Sequence, residues 1–421
     1  MSSAVARETR SPRAGAGAGA GGGARRGQGP AGAAVRGPGP CHAAAMALLR
    51  ALVRASEKAA CIAQLCRQED ALFQLLVEEK RGADKNKRFV QDFKTLADVL
   101  IQEVIKHDVG AEFPALQGHI FGEESNKFEN GLGETLVVQV CGTECDTAAL
   151  LACVLDHNQA AAELLAAAVH QEVPLEDPAL AAVAVAVSPE SMAIWIDPID
   201  STNQYIRGRG DVAPVGGIYP SGLRSALVLI GAYDRHSGEP LLGVINEPFY
   251  RQDPLTHRWQ GKYHWGVSYQ GTRLCSLPCP PLRPDPAAVL SGSEKPEVQQ
   301  ALAPLYGGRL RFASGAGYKM LCVILGLAEA YVLSEGSTYK WDSCGPHAVL
   351  RALGGGMVDL GAALAGWRAG RHEPPPQLTY HRAAGGAAGA ERWANHGGLV
   401  AFAHPEHLLA VLDALAAAPG L

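Results

Sequence analysis

The sequence predicts an α+β fold in two parts, a large domain built on an antiparallel sheet and a smaller α/β domain, preceded by a disordered extension. Three patterns carry this reading. Apolar residues recur at three- and four-residue spacing from Met46 to Val77 and again from Phe89 to Val104, as core-facing helices require. Strand-like runs then dominate as far as Tyr269. Beyond a proline-rich stretch, short apolar runs alternate with helical ones, which is the pattern of an α/β unit.

Residues 1–45 are rich in Gly, Ala, Pro and Arg and hold almost no large apolar side chains. They bury too little surface to offset their ordering entropy and are expected to be disordered. An Arg-rich, acid-poor segment also fits a mitochondrial presequence, although its glycines and prolines make a poor amphipathic helix. Met46 opens the first patterned segment and is a candidate alternative start. From there Leu48, Leu49, Leu52, Val53, Ile62, Leu65, Leu72, Phe73, Leu76 and Val77 predict a helix pair. Phe89, Phe93, Leu96, Leu100 and Val104 predict a second helical element, with Asp98 beside its buried stripe.

Strands are predicted at Thr135–Val140, Ala193–Asp197, Ser225–Tyr233, Leu241–Asn246 and Tyr263–Tyr269, with Ser237-Gly238 as a hairpin turn. Pro278–Pro286 reads as a linker, which divides the chain into residues 46–277 and 278–421. In the second part, strands at Ala288–Leu290, Leu310–Ala313, Ala330–Leu333, Met357–Leu360 and Leu399–Phe402 alternate with helices such as Tyr318–Leu327 and His347–Leu353. Residues 361–392, rich in Gly, Ala and Pro, read as a surface loop, and no sequence repeat is present.

The 421 residues are too many for one ordinary core, and 47% hydrophobic with 19% charged residues is a soluble globular composition. No apolar run reaches the roughly 20 residues that a spanning helix needs. The formal charge of −5 divides unevenly, since residues 1–45 carry +5 and leave −10 on the remainder. An acidic body argues against nucleic-acid binding. It is compatible with a phosphorylated substrate, because bound divalent cations reverse the sign of a carboxylate-lined pocket. Among the ten cysteines, the pairs Cys61/Cys66, Cys141/Cys145 and Cys275/Cys279 lack nearby His at zinc-site spacing, so free thiols in a reducing cytosol are expected. A cytoplasmic protein acting on a small molecule, with no membrane or nucleic-acid partner, is expected, and a monomer is the working expectation although the sequence does not determine oligomeric state.

Three carboxylate clusters point to chemistry: Phe121-Gly-Glu-Glu-Ser125, Trp195-Ile-Asp-Pro-Ile-Asp-Ser-Thr202 and Lys340-Trp-Asp-Ser343. In the second, Asp197 ends an apolar strand, and Pro198 restricts the chain so that Asp200 can return to the same side. The Ile199 carbonyl between them is a third hard oxygen. Carboxylates, carbonyls and water suit magnesium. Ser201 and Thr202 can start a helix whose free N–H groups face an anion. Taken singly, each piece has a plainer reading: a turn at Asp-Pro-Ile-Asp, solvated surface at Glu123-Glu124, a helix-dipole partner at Asp342 and an exposed charge at Asp98. Their combination on apolar strand ends is what points to a metal-assisted phosphate site.

Asp98, Glu123-Glu124, Asp197-Pro-Ile-Asp200-Ser-Thr202 and Trp341-Asp342 together resemble the metal-site signature of the inositol monophosphatase/fructose-bisphosphatase superfamily. Asp92-Phe-Lys-Thr-Leu-Ala-Asp98, Phe121-Gly-Glu-Glu-Ser-Asn126, Gly315-Ala-Gly-Tyr-Lys319, Lys340-Trp-Asp-Ser-Cys344 and Arg392-Trp-Ala-Asn395 resemble its branch acting on inositol polyphosphates, and the similarity runs from about Met46 past Phe402. The resemblance implies a layered α/β/α/β/α sandwich of the sugar-phosphatase type. It also implies a magnesium-dependent, lithium-sensitive enzyme whose metal-activated water hydrolyses the 1-phosphate of inositol 1,4-bisphosphate and inositol 1,3,4-trisphosphate.

By that resemblance, Glu123, Asp197 and the Ile199 carbonyl hold a first magnesium ion, and Asp197, Asp200 and Asp342 a second. Asp98 and Glu124 line a lithium-sensitive or third-metal region. Glu123 and Thr202, with Asp98, are the expected catalytic residues. Substrate contacts are expected from Asp200, Ser201, Thr202, Ser293, Lys295, Gly315, Ala316, Lys319 and Ser337. The chain departs from the pattern at Asn203, where an aromatic residue is usual, at Ser337 for Thr, and at Gly345-Pro346; Pro346 is expected in the first turn of the helix after Asp342, where a missing N–H is tolerated. Two other readings remain open on sequence alone: a 3′,5′-bisphosphate nucleotidase with the same metal site, and an inactive inositol-phosphate-binding protein.

Overall fold

A computed structural model describes residues 40–68, 77–80, 93–185, 187–282 and 285–418. The long strands set the architecture. β6 (Met192–Asp200), β7 (Leu227–Asp234), β8 (Pro240–Gln252), β9 (Trp259–Tyr269) and β10 (Thr272–Cys275) form antiparallel neighbours. The short strand β3 (Ile120–Gly122) joins β6 in parallel and completes a six-stranded sheet of order β10-β9-β8-β7-β6-β3. The β7–β8 hairpin turns at Ser237-Gly238, as the sequence predicts, with Gly238 at φ 79°.

Both faces of this sheet are covered, and side-chain alternation decides which residue faces which layer. Ile194, Ile196, Val228 and Ile230 pack with α1 (Pro40–Gln68) and α2 (Leu96–Glu112). Ala193, Trp195, Leu227 and Leu229 point the other way, toward α7 (Ala316–Ile324) and α8 (Lys340–Leu353). Those two helices are roofed by a five-stranded sheet of order β12-β11-β13-β15-β14: Leu310–Phe312, Ala288–Leu290, Ala330–Leu333, Leu399–Phe402 and Gly356–Asp359. On its outer face lie α6 (Pro296–Tyr306), α9 (Leu360–Arg368) and α10 (Pro405–Ala416). The stack is helix, sheet, helix, sheet, helix, which is the expected α+β sandwich. The described residues cluster as one compact unit.

Several elements differ from the sequence expectation. The first helical pattern forms one long helix that begins at Pro40, before Met46; residues 1–39 and 69–76 lie outside the described residues. Val77 belongs to a strand, β1 (Val77–Glu79), paired with β2 (Phe93–Thr95), because alternation there answers a hairpin partner instead of a helix face. The second helix therefore starts at Leu96. Thr135–Val137 (β5) pairs only with Lys127–Glu129 (β4), outside the main sheet. Two alanine-rich helices, α3 (Glu144–Val154) and α4 (Gln159–His170), and strand β3 are additional. The expected loop at 361–392 opens with α9, in which Ala363, Leu364 and Trp367 are buried.

The nine cysteines from Cys61 to Cys344 are free thiols. Among the described residues, no helix is long and apolar enough to cross a membrane.

Candidate active site

Asp197 and Asp200 share one pocket because β6 carries a bulge between them. Asp197 pairs with Leu229 and Asp200 with Leu227, so three steps on β6 match two on β7. An extra residue in one strand re-aims the side chains around it, and Pro198, which has no N–H for the ladder, suits that position. Ser201 then turns the chain at φ 74°, ψ 44° into α5 (Thr202–Arg207).

Asp342 arrives from the other core. It is the third residue of α8, where the Tyr339 N–H donates to its carboxylate. The helix lies against the sheet at glycine contacts: a Cβ on Gly231 would stand 2.3 Å from the Gly345 nitrogen, and one on Gly243 would stand 2.1 Å from the Gly345 oxygen. Pro346 is thus inside the helix and past its first turn, a correction to the sequence expectation. The helix tolerates it, at the loss of the N–H that would reach the Asp342 carbonyl.

One carboxylate oxygen each from Asp197, Asp200 and Asp342 lies within 4.8 Å of the others. The Gly317 N–H donates to Asp200 Oδ2 at 3.0 Å. Asp197 Oδ1 is buried and has no hydrogen-bond partner among the described residues. Burial pushes the Asp197 and Asp342 carboxyls well above the usual range, and repulsion among the acids adds to it. Asp200 is pushed up to about 6 by burial, with Lys319 opposing. Three converging carboxylates with an unpartnered oxygen fit a hard divalent cation, which prefers oxygen ligands and removes the repulsion.

Glu123 and Glu124 follow β3, and the Glu123 N–H donates to the Ile196 carbonyl at 3.2 Å, which places the pair beside the end of β6. Buried Gln102 of α2 clamps the Glu124 backbone through both amide atoms, at 2.9 and 2.6 Å. A Cβ on Gly122 would meet Gln102 Oε1 at 1.9 Å, so the clamp requires glycine there. The carboxylates meet a cation of the chain itself, with the Lys80 ammonium 2.6 Å from Glu123 Oε1 and 2.5 Å from Glu124 Oε1. Burial raises the Glu124 carboxyl to about 8, against the pull of Lys80.

Asp98 is buried in the first turn of α2 beside Leu96, Ala97, Val99 and Leu100, so it is not the exposed charge of its plainer reading. Its Oδ2 accepts from the Thr95 N–H at 2.7 Å and from the Thr95 hydroxyl at 2.6 Å in a reciprocal helix cap. Its Oδ1 lies 3.3 Å from the Thr202 hydroxyl, which is also 3.1 Å from the Ile199 carbonyl. Burial raises the Asp98 carboxyl to about 6.

Glu123, Asp197, Ile199, Asp200, Thr202 and Asp342 line a cavity of about 710 Å³, while Asp98 and Glu124 lie outside its lining. Of the expected substrate contacts, Asp200, Ser201, Thr202, Ser293, Gly315, Ala316, Lys319 and Ser337 line it. Lys295 does not; it is exposed at the start of α6. Lys319 is buried, and its ammonium donates to the carbonyls of Ala313 at 3.2 Å and Gly315 at 2.7 Å. Burial lowers it to about 8. Lys80, Gln102 and Thr95 escaped the sequence reading. Only Thr95 had a local signal, the Thr-x-x-Asp spacing of a cap; the other two act across the fold.

The profile of the inositol monophosphatase family matches residues 129–407. A Bos taurus protein named inositol polyphosphate 1-phosphatase is 49% identical over 393 residues, covering 87% of this chain and 96% of that one. A Homo sapiens protein of the same name is 48% identical over 391 residues, with coverage of 87% and 96%. A Rattus norvegicus 3′(2′),5′-bisphosphate nucleotidase 1 is 25% identical over 278 residues, 64% of this chain and 72% of that one.

Proposed function

The chain belongs to the inositol monophosphatase family, and on that premise we propose that it is a magnesium-dependent, lithium-sensitive phosphatase removing the 1-phosphate of inositol 1,4-bisphosphate and inositol 1,3,4-trisphosphate. The observation that carries the reading is the meeting of Asp197, Asp200 and Asp342 within 4.8 Å, from a bulged strand and a separate helix. Acids forced together at the cost of burial and repulsion are a poor structural device and a good cation cradle. The two relatives at 48–49% identity, matched over 96% of their length, favour inositol polyphosphates over nucleotides as substrate.

In this proposal Asp197, Asp200 and Asp342 would hold one ion. Glu123, Asp197 and the Ile199 carbonyl would hold another, and Asp98 with Glu124 would line the lithium-sensitive region. Bound magnesium supplies charge neutralisation at phosphate and an acidified water nucleophile. The chain's own groups do the positioning. Thr202 has one hydroxyl proton, directed at Asp98 Oδ1 or the Ile199 carbonyl, so its lone pairs are free to accept from the attacking water. Glu123 takes the proton that water gives up. Hydrolysis is direct and in line, with no phosphoenzyme, and rests mainly on positioning and electrostatics.

The test is phosphate release from inositol 1,4-bisphosphate and adenosine 3′,5′-bisphosphate in parallel, with magnesium, with chelator and with millimolar lithium. Loss of the 1-phosphate, abolished by chelator and suppressed by lithium, is expected. Asp197→Asn should lower kcat by at least about a hundredfold while the protein stays folded. Faster turnover of the nucleotide would assign the chain to the nucleotidases.

A further inference from the structure

The candidate metal centre joins the β6 bulge to the first turn of α8, so the separation of Asp342 from Asp197 and Asp200 depends on what fixes that turn. The segment Arg392-Trp-Ala-Asn395 takes no part in the proposed chemistry, yet it packs against both elements. Trp393 ends a 3-10 helix, Gly389–Trp393, and its ring meets that of Trp195 edge-on at 4.9 Å between centroids, two residues before Asp197 on β6. Trp195 in turn lies 5.9 Å from Trp341, the neighbour of Asp342, and Trp341 stacks on Tyr339 at 4.6 Å. Such aromatic pairs add directional attraction to the area they bury.

The polar contacts to the start of α8 come from the end of the same segment. Ala394 forms an antiparallel bridge with Tyr339. The Asn395 N–H donates to the Thr338 carbonyl at 2.8 Å. That carbonyl belongs to the peptide group whose N–H, on Tyr339, donates to the Asp342 carboxylate. One peptide therefore accepts from Asn395 and gives to Asp342, and hydrogen bonds in such a chain polarise one another. The Asn395 side chain holds the rest of the turn. Its Nδ2 lies 3.2 Å from Thr338 Oγ1, 3.1 Å from the Tyr339 carbonyl and 3.2 Å from Ser343 Oγ. The Ser343 hydroxyl gives its own proton to the Tyr339 carbonyl at 3.0 Å, so its lone pairs are what face the amide. Asn395 is only 2% exposed, and its Oδ1 has no hydrogen-bond partner among the described residues. A buried oxygen without a partner costs stability, and here it accompanies an amide aimed by its donors at three acceptors.

We infer that Asn395 is a positioning residue for the metal centre: through Thr338, Tyr339 and Ser343 it fixes the turn that presents Asp342 to Asp197 and Asp200. This rests on the magnesium reading above. Asn395 does not line the cavity, so it acts on the ion through the chain that carries Asp342. Polar partners behind a metal ligand commonly account for ten- to a hundredfold in metal affinity.

Titration calorimetry of magnesium into chelator-stripped wild type, Asp342→Asn, Asn395→Ala and Ser343→Ala tests the inference. The binding event that Asp342→Asn abolishes identifies the ion in question. Asn395→Ala should weaken that event about tenfold or more, and the magnesium concentration for half-maximal phosphate release should rise in step. At saturating magnesium, kcat should return to within about threefold of wild type with KM for inositol 1,4-bisphosphate unchanged. Ser343→Ala removes one acceptor and keeps Asn395; it should weaken the same event by about threefold. Asn130 is also buried, but it bonds within the β4–β5 turn and to the Cys153 carbonyl. Asn130→Ala should therefore lower stability and leave magnesium affinity unchanged. An Asn395→Ala protein that melts lower in chelator yet binds magnesium as the wild type does overturns the inference and leaves the magnesium reading standing. If that variant does not fold, Ser343→Ala decides, and wild-type affinity in it is equally fatal. A wild type that binds no magnesium sinks the magnesium reading and this inference with it.

Discussion

Asp98 shows how one side chain can serve a helix and a reaction centre together. One of its oxygens closes the cap with Thr95, and the other faces Thr202. Thr95→Ala should therefore have two effects. Loss of the cap costs about 1 kcal/mol, readable as a lower urea midpoint. Loss of the 2.6 Å hydroxyl contact frees Asp98 to rotate away from Thr202 and should lower kcat more than it raises KM. The carboxylates themselves were legible, since each sits in a local pattern of strand end or helix start. Their partners were not. Lys80 meets Glu123 and Glu124 only because the β1–β2 hairpin brings it back, and no spacing rule encodes such a return. Lys295 and Lys319 looked alike in sequence, and burial separated them into an exposed cation and a committed one.

At the scale of elements, the site depends on how α8 meets the sheet. Strand periodicity predicted β6 to β9 because their alternation faces two cores, but it could not predict that a helix backbone would lie on Gly231 and Gly243. Gly243→Ala forces a Cβ to within 2.1 Å of the Gly345 oxygen, and the rigid backbone on both sides leaves displacement of α8 as the response. The cost should be about 1 to 3 kcal/mol, seen by chemical denaturation. Because Asp342 is in the first turn of that helix, the same variant should weaken the thermal shift produced by magnesium. An equal substitution at Gly142, where a Cβ would meet no atom within 4 Å and the backbone has no positive φ, has no such clash and controls for the loss of a glycine. The helical pattern that opens at Phe89, in a stretch (81–92) outside the described residues, failed at 93–95 for a related reason: those residues satisfy a helix period and a strand period alike, and a hairpin partner decided between them.

For the whole molecule, clustering the acids makes stability depend on pH in an unusual direction. Asp98 and Asp200 are pushed up to about 6, mainly by burial, whereas unfolded Asp titrates near 4. The folded state therefore binds more protons than the unfolded state between these values, and stability falls as pH rises through that window. A paired carboxylate with a depressed value behaves in the opposite way. The metal-free protein should accordingly melt lower at pH 7 than at pH 5, by on the order of 5 °C. Magnesium should raise the melting temperature more at pH 7 than at pH 5, and Asp342→Asn should flatten both trends. Differential scanning calorimetry with chelator and with magnesium decides it; a metal-free protein that gains stability across this range would contradict the assigned burial of the cluster.

The sequence by itself determined the long strands β6 to β9, the strands of the second sheet, the three acidic clusters and the family they resemble, because periodicity and short motifs are written in neighbouring residues. Tertiary structure alone decided which cation meets which acid, that Asp342 reaches the Asp197–Asp200 bulge, and that Asn395 reaches the turn before Asp342. Those outcomes depend on distances between residues far apart in the chain, fixed by close packing of backbone on backbone and by which polar groups burial leaves without solvent.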